Sequence, residues 1–379
     1  MTNRANQDPE VEELAKRRVP CMVAYLQPFR LVNGPDSTPW HVTIDEVNGG
    51  SWDYVALHEL VGGIDVGLEP PYHMVVCRDG AVGLPTLPHL RSDQQAVEFF
   101  NRCLSALLIG GVYCEAIALD GLDFGSIIDW KYLRVHGHGS AAANRFHNLV
   151  RLKRASALEA ISLMKPREVG ANDLTSAMAL GRDVLAAVNE LSPEFLLKGT
   201  TAFAKRDWGS ALANLWIVVE QVTSNLWTRY VLQPAKQGTV IDGRADQLAD
   251  FRTWTTAARH ELLHQIDIIT PETLAKLSRA RKARNDLAHK GKHPTAAAAR
   301  AAREGAADLL TIATDGRLMP LLAPDLDAQA LPDPFNPEPS RPLDPQYWME
   351  IFKLPGEEEL ERLEAESYRR YRRAGKGRT

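Results

Sequence analysis

DWGSALANLWIVVEQVTSNLWTRYVLQP, residues 207 to 234, repeats Leu212, Leu215, Trp216, Val219, Leu226 and Tyr230 at three- and four-residue spacing, which is one apolar stripe of an α-helix. Ile217, Val218 and Trp227 make a second apolar face. A helix apolar on two sides is central in its domain or buried in a dimer, so other helices must surround it. The flanks supply them. NDLTSAMALGRDVLAAVNELSP (172 to 193) places Leu174, Ala177, Met178, Gly181, Val184, Leu185, Val188 and Leu191 on one stripe, with Asn172 or Asp173 as N-cap and Pro193 past the end. Downstream come TWTTAARHELLHQIDII (253 to 269), TPETLAKLSRARKARNDLAHKG (270 to 291) and PTAAAARAAREGAADLLTIATDG (294 to 316). Thr270 or Pro271 opens the second of these, Gly291 closes it, and Pro294 starts the third. From about Ala141 to Thr314 the chain therefore reads as an all-α bundle.

Upstream the character differs. Between residues 19 and 135 the β-prone runs VPCMVAYL, HVTIDEV, HMVVC and VYCEAIAL alternate with turns at NGPD, NGGS, VGGID and EPPY. SDQQAVEFFNRCLSALL (92 to 108) is a helix among them. The expected fold class is α+β: a polar segment (1–18), a mixed α/β domain for sensing or substrate recognition (19–140), a helical bundle (141–318), a proline-rich linker (319–346) and a C-terminal helix with a basic end (347–379). The linker, LLAPDLDAQALPDPFNPEPSRPLDPQ, reads as extended. The tail EEELERLEAESYRRYRRAGKGR has acids first and arginines last, matching a helix dipole; it is a solvated helix, with RNA or partner docking by Arg369, Arg370, Arg372 and Arg373 the lesser reading.

With 379 residues, 45% of them hydrophobic, the chain can bury a sizeable core. The net charge of -4 does not advertise a nucleic-acid ligand, but its distribution is uneven. Residues 270 to 303 hold nine Lys or Arg against two acids, a surplus of seven. Cys21, Cys77, Cys103 and Cys114 show no CxxC pair and no dense framework, so they read as reduced packing residues. MTNRANQDPEVEELAKRR is wrong for a secretory signal, and CLSALLIGGVYCEAIAL (103 to 119) is broken by Gly110, Gly111 and Glu115 into a helix end and a strand. No membrane span is expected, and a cytoplasmic location follows by default. HGHGS (136 to 140) reads as an interdomain loop; His136 and His138 lack partners for a metal.

Two motifs compete for chemistry. His260-Glu261-Leu262-Leu263-His264 matches the HExxH of zinc peptidases, in which two histidines one turn apart bind zinc and the glutamate is a general base. Arg259 precedes the first ligand, Asp267 and Thr270 stand where a third-ligand extension needs Gly and His, and Glu304 has no ligand-like surroundings. On a helical wheel Trp254, Ala258, Leu262, Ile266 and Ile269 form the apolar stripe, which leaves His260, His264 and Asp267 on a solvated face. The second motif is Arg284-Asn285-Asp286-Leu287-Ala288-His289. Asn285 and His289 lie on one face a turn apart with Arg284 flanking them, in the last turns before Gly291. Basic residues are favoured at helix C-termini by the dipole alone.

Arginine, a polar residue and histidine near the end of a helix, in a compact four- or five-helix bundle, resembles the HEPN superfamily over about residues 171 to 315. Glu220, in LANLWIVVEQVTSNLW, is similar to that family's mid-helix acid. The resemblance implies a metal-independent endoribonuclease, often a toxin or phage-defence effector, with Arg284, Asn285 and His289 catalytic and two copies of the trio set face to face in a homodimer. It implies RNA as partner, bound through Arg281, Lys282, Lys290, Lys292 and His293, with no metal or other cofactor; an antitoxin or sensor partner is compatible with it. Other members only bind nucleotide or RNA, which is the first alternative, ahead of the zinc peptidase. The residue types suit the reaction. Histidine exchanges protons near neutral pH, arginine offers a permanently charged fork to a phosphorane, and asparagine holds the ring or the phosphate. A nucleotidyltransferase in GSWDYVALHELVGGIDVG (50 to 67) fits least, since paired carboxylates for magnesium are lacking.

Overall fold

The computed structural model describes residues 18–35, 55–69, 72–87, 92–136, 142–151, 167–238 and 241–317, with residues 43, 45, 46, 90, 163, 362 and 366 as isolated positions. Most of HVTIDEV, the proline-rich linker and nearly all of the C-terminal tail, including Arg369, Arg370, Arg372 and Arg373, lie outside the described residues. No helix among the described residues is long and apolar enough to cross a membrane.

A six-stranded antiparallel sheet forms first, from β1 (Arg18–Tyr25), β3 (Leu60–Ile64), β4 (Met74–Cys77), β5 (Ala81–Pro85), β6 (Asp123–Ile128) and β7 (Tyr132–Val135), in the order β3-β4-β5-β1-β6-β7. Its two edges meet. Glu59 bridges Tyr132, and the Leu60 amide donates to the Lys131 carbonyl at 2.8 Å, so the sheet curls almost into a barrel. Alternation in β1 serves both faces: Cys21, Val23 and Tyr25 fill the inside of the curl, while Met22 and Ala24 face the main core. The curl is plugged by α2 (Ala142–Arg151), whose Arg151 donates to both Asp79 carboxylate oxygens and to the Leu133 carbonyl. Burial alone would push the Asp79 carboxyl up, but the guanidinium overrides it and holds the carboxyl below its ordinary range. β2 (Leu31–Asn33) and β8 (Glu168–Gly170) form a separate parallel pair.

Two readings of this region are corrected. VGGID is not a turn, because Leu60, Val61, Gly62, Gly63 and Ile64 are β3; a Cβ at Gly62 would lie 3.3 Å from Ala171, where a helix start crosses the strand. VYCEAIAL is not a strand. Its backbone is satisfied by side chains instead: Asn101 donates to the Ile117 carbonyl and accepts from the Ile117 amide, both at 2.9 Å, and Thr201 accepts from the Ala116 amide at 2.8 Å. The helix before it, α1 (Asp93–Ile109), starts on a capping box between Ser92 and Gln95.

The remaining helices are α3 (Ala171–Ala187), α4 (Pro193–Ala204), α5 (Trp208–Trp227), α6 (Gln233–Gln237), α7 (Arg244–Ala249), α8 (Thr256–Gln265), α9 (Pro271–Lys290) and α10 (Ala296–Ala313). α3 begins one residue before the expected caps, with Gly170 as N-cap and Asp173 accepting from its amide at 3.1 Å. Pro193 opens α4 rather than merely following α3. α10 is capped by Thr295, not begun by Pro294. α5 is central and packs on α4, α8, α9 and α10, which is why it carries two apolar faces. One hydrophobic core joins Met22, Ala24, Phe100 and Leu104 to Met178, Leu215, Val219, Leu277 and Leu310. The change of composition near residue 141 is a change of element type within that core. Two glycines let α1 and α3 touch: a Cβ at Gly110 would fall 1.9 Å from the Ala177 carbonyl oxygen, and one at Gly181 1.9 Å from that of Ala106.

Candidate functional site

Arg284, Asn285 and His289 stand in the last two turns of α9. The helix is well specified: Thr270 caps it by accepting from the Thr273 amide at 3.2 Å, Pro271 occupies its first turn, and Gly291 ends it in the left-handed conformation at φ 63°. Leu277 and Ala280 anchor its inner face. Arg284 is half-buried at the edge of that face, with Nη1 3.5 Å from the Asn285 amide oxygen. His289, one turn past Asn285, is exposed. The structure thus brings Arg284 and Asn285 together and leaves His289 open to solvent beside them.

The expected phosphate-binding residues divide. Lys282, Lys290, Lys292 and His293 are exposed, whereas Arg281 is half-buried and close enough to His260 for its charge to act there. Lys290 bridges Asp286 at 2.8 Å, and that hydrogen bond with the nearby lysine charges holds the Asp286 carboxyl below its ordinary value. Lys276, counted in the basic surplus, is engaged by Asp308 at 2.9 Å, and Arg303 is buried over the Phe203 ring. The cationic rim is therefore narrower than the sequence count: Lys290, Lys292 and His293 stand at the open end of α9 with Lys282 two turns before it, while Arg279 and Arg300 are exposed further away. Asp207 is a neighbour that reading along the chain passed over. It caps α5 by accepting from the Ser210 amide, and with those hydrogen bonds first, His293 also helps hold its carboxyl down. The D-W-G-S string was a legible N-cap signal; its nearness to residue 293 was not. Glu220 accepts from the Trp216 indole within its own helix at 2.7 Å.

The wheel for the HExxH string is corrected. His260 points inward, 2% exposed, with Nε2 2.8 Å from the Thr223 hydroxyl and its ring edge-on to Trp216. His264 is half-buried with Nδ1 3.0 Å from the Ile269 carbonyl oxygen. Leu263, not Leu262, is the buried leucine, and Ile266 is exposed. Each imidazole thus has a structural hydrogen-bond partner, and no group of three or more His, Cys, Asp or Glu suited to a metal occurs among the described residues. Of the two places open to the second apolar face of α5, the interior of the chain is the one found: Val218 and Trp227 are buried inside the single chain and Ile217 is half-buried, so the face is not a candidate dimer contact. Ser126 and His136 are hydrogen-bonded at 3.0 Å; residues 137 to 140 lie outside the described residues. Comparison of the chain with protein-family models, with curated proteins and with solved structures gives no match.

Proposed function

We propose that this protein is a metal-independent endoribonuclease whose reaction is carried by Arg284, Asn285 and His289. The observation that carries the reading is their placement: a half-buried guanidinium touching an amide side chain, with an exposed imidazole one turn on, at a helix end rimmed by Lys282, Lys290, Lys292 and His293. In this reading the imidazole exchanges protons with the ribose 2′-hydroxyl or the leaving 5′-oxygen, and Arg284 neutralises the charge gathering on the phosphorane. Asn285 orients Arg284 and the phosphate. A trio on an open helix end cannot exclude water by itself, so a second copy facing it across a two-fold axis completes the site. The buried face of α5 is not that contact.

The test is cleavage of total RNA in EDTA by the wild type, Arg284→Ala and His289→Ala. Both substitutions should leave the fold intact and lower cleavage by about 100-fold or more. Cleavage that needs a divalent ion, or that survives in His289→Ala, would sink the reading. If the site is composite, activity per protein molecule also falls on dilution as the dimer dissociates.

A further inference from the structure

The hairpin of β6 and β7 presents a built outer face that the α9 site does not use. Its register sets three rows across three strands: Arg18, Ile128 and Tyr132; then Pro20, Ser126 and Arg134; then Met22, Phe124 and His136, where Met22 is covered by the main core and ends the open face. Inward residues Asp123, Gly125, Ile127 and Leu133 are buried, so the alternation turns Phe124, Ser126, Ile128, Tyr132 and Arg134 outward. Phe124 is 50% exposed, unusual for a phenylalanine in the middle of a sheet. Arg18, Lys131, Arg134 and His136 are exposed among these rings, against Asp129 and the half-buried Glu59.

The turn adds an independent sign. Asp129 and Trp130 both have positive φ, 51° and 52°, at the centre of the hairpin's three-residue loop, whose turn is closed by the Lys131 amide donating to the Ile128 carbonyl at 2.9 Å. A turn with positive φ at both central residues favours Asn-Gly or Asp-Gly, because glycine adopts that conformation freely. A tryptophan there is strained, yet its indole stands 48% exposed at the tip. Strain retained to hold a ring in water points to a use for the ring.

We propose that this face binds single-stranded RNA, with bases stacking on Phe124 and Trp130 and the backbone running past Arg18, Arg134 and His136. The proposal rests on the ribonuclease reading only for the choice of RNA as the strand. Aromatic platforms interleaved with cations are the chemistry that unpaired bases and their phosphates require. From the Phe124 row to the end of β6 is about four strand residues, or roughly 13 Å, with the turn beyond it, room for two or three splayed bases of the kind a sheet can stack. Lys131 already covers one side of the Tyr132 ring, 5.1 Å from its centroid, so Tyr132 borders the track. A protein partner would ask for a continuous apolar patch, whereas here the exposed Arg18, Lys131 and Arg134 lie among the rings.

The experiment uses the full chain carrying His289→Ala, so that binding is read without cleavage, and a fluorescein-labelled single-stranded RNA of twelve nucleotides beside its duplex. Trp130→Gly should weaken single-strand binding about tenfold or more, while melting no lower than its parent because the turn strain is relieved. Phe124→Ala and Arg134→Glu should each weaken it several-fold, and the duplex should bind less well than the single strand. Should Trp130→Gly fail to fold, the exposed Arg134→Glu carries the comparison. Unchanged affinity in Trp130→Gly and Phe124→Ala, or no single-strand binding at all, overturns the proposal and leaves the face to a protein partner. The two readings fail separately. Without any nuclease activity in the wild type, loss of binding in Trp130→Gly still supports the face; cleavage with normal binding in all face variants supports only the α9 site.

Discussion

His260 is a histidine the fold keeps neutral. Burial first, and the Arg281 charge second, bring its pKa from 6.5 down to about 4. Thr223 spends its hydroxyl proton on the Val219 carbonyl at 2.7 Å, so its lone pair receives the Nε2 proton of His260. The unfolded chain takes up a proton near pH 6.5 and the folded chain does not, so stability falls as pH drops from about 6.5 towards 4. Between pH 6.5 and 5 that loss is about 2 kcal/mol. His260→Gln, which cannot titrate, should show a pH dependence shallower by that amount in chemical denaturation at pH 7 and pH 5. Equal slopes would mean that His260 is not buried as described. Hydropathy could not reveal this residue, because a polar side chain on an inner face looks like a solvated one until its hydroxyl partner, 37 positions away, is in view.

Helices were more legible than their neighbours. α1, α5 and α9 announced themselves through caps and apolar spacing, and the site trio was readable as a string at a capped helix end. What failed was local. The wheel drawn through Trp254 and Ile269 ran past both ends of α8, a helix of only ten residues, and so averaged three different conformations. VYCEAIAL has the residue types of a strand, but Asn101 and Thr201 claim its backbone; tertiary context outweighed propensity. The α1 and α3 contact was equally hidden, since Gly110 and Gly181 look like ordinary helix weak points. In the fold they are a mutual approach of backbones. Gly181→Ala, normally stabilising within a helix, should here destabilise by about 1–3 kcal/mol or more through overpacking, seen as a lowered melting temperature. An unchanged or higher one would show that the helices can separate freely.

For the molecule as a whole, the sheet and the bundle share their apolar side chains. Residues 142 to 379 expressed alone should therefore be aggregation-prone and bind a hydrophobic dye, because α3 and α4 would lose the α1 surface they cover. A monomeric, cooperatively melting fragment would contradict this. That shared core has a consequence for synthesis. The face of β1 bearing Met22 and Ala24 leaves the ribosome long before Leu309 and Leu310 of α10, which belong to the same cluster, and α9 is emerging before α10 exists to pack on it. A nascent chain thus carries an unfinished scaffold for most of its translation. If the α9 helix end cuts RNA, it does so only once α10 has been made, and a message truncated before α10 yields a product for the proteases rather than a working nuclease.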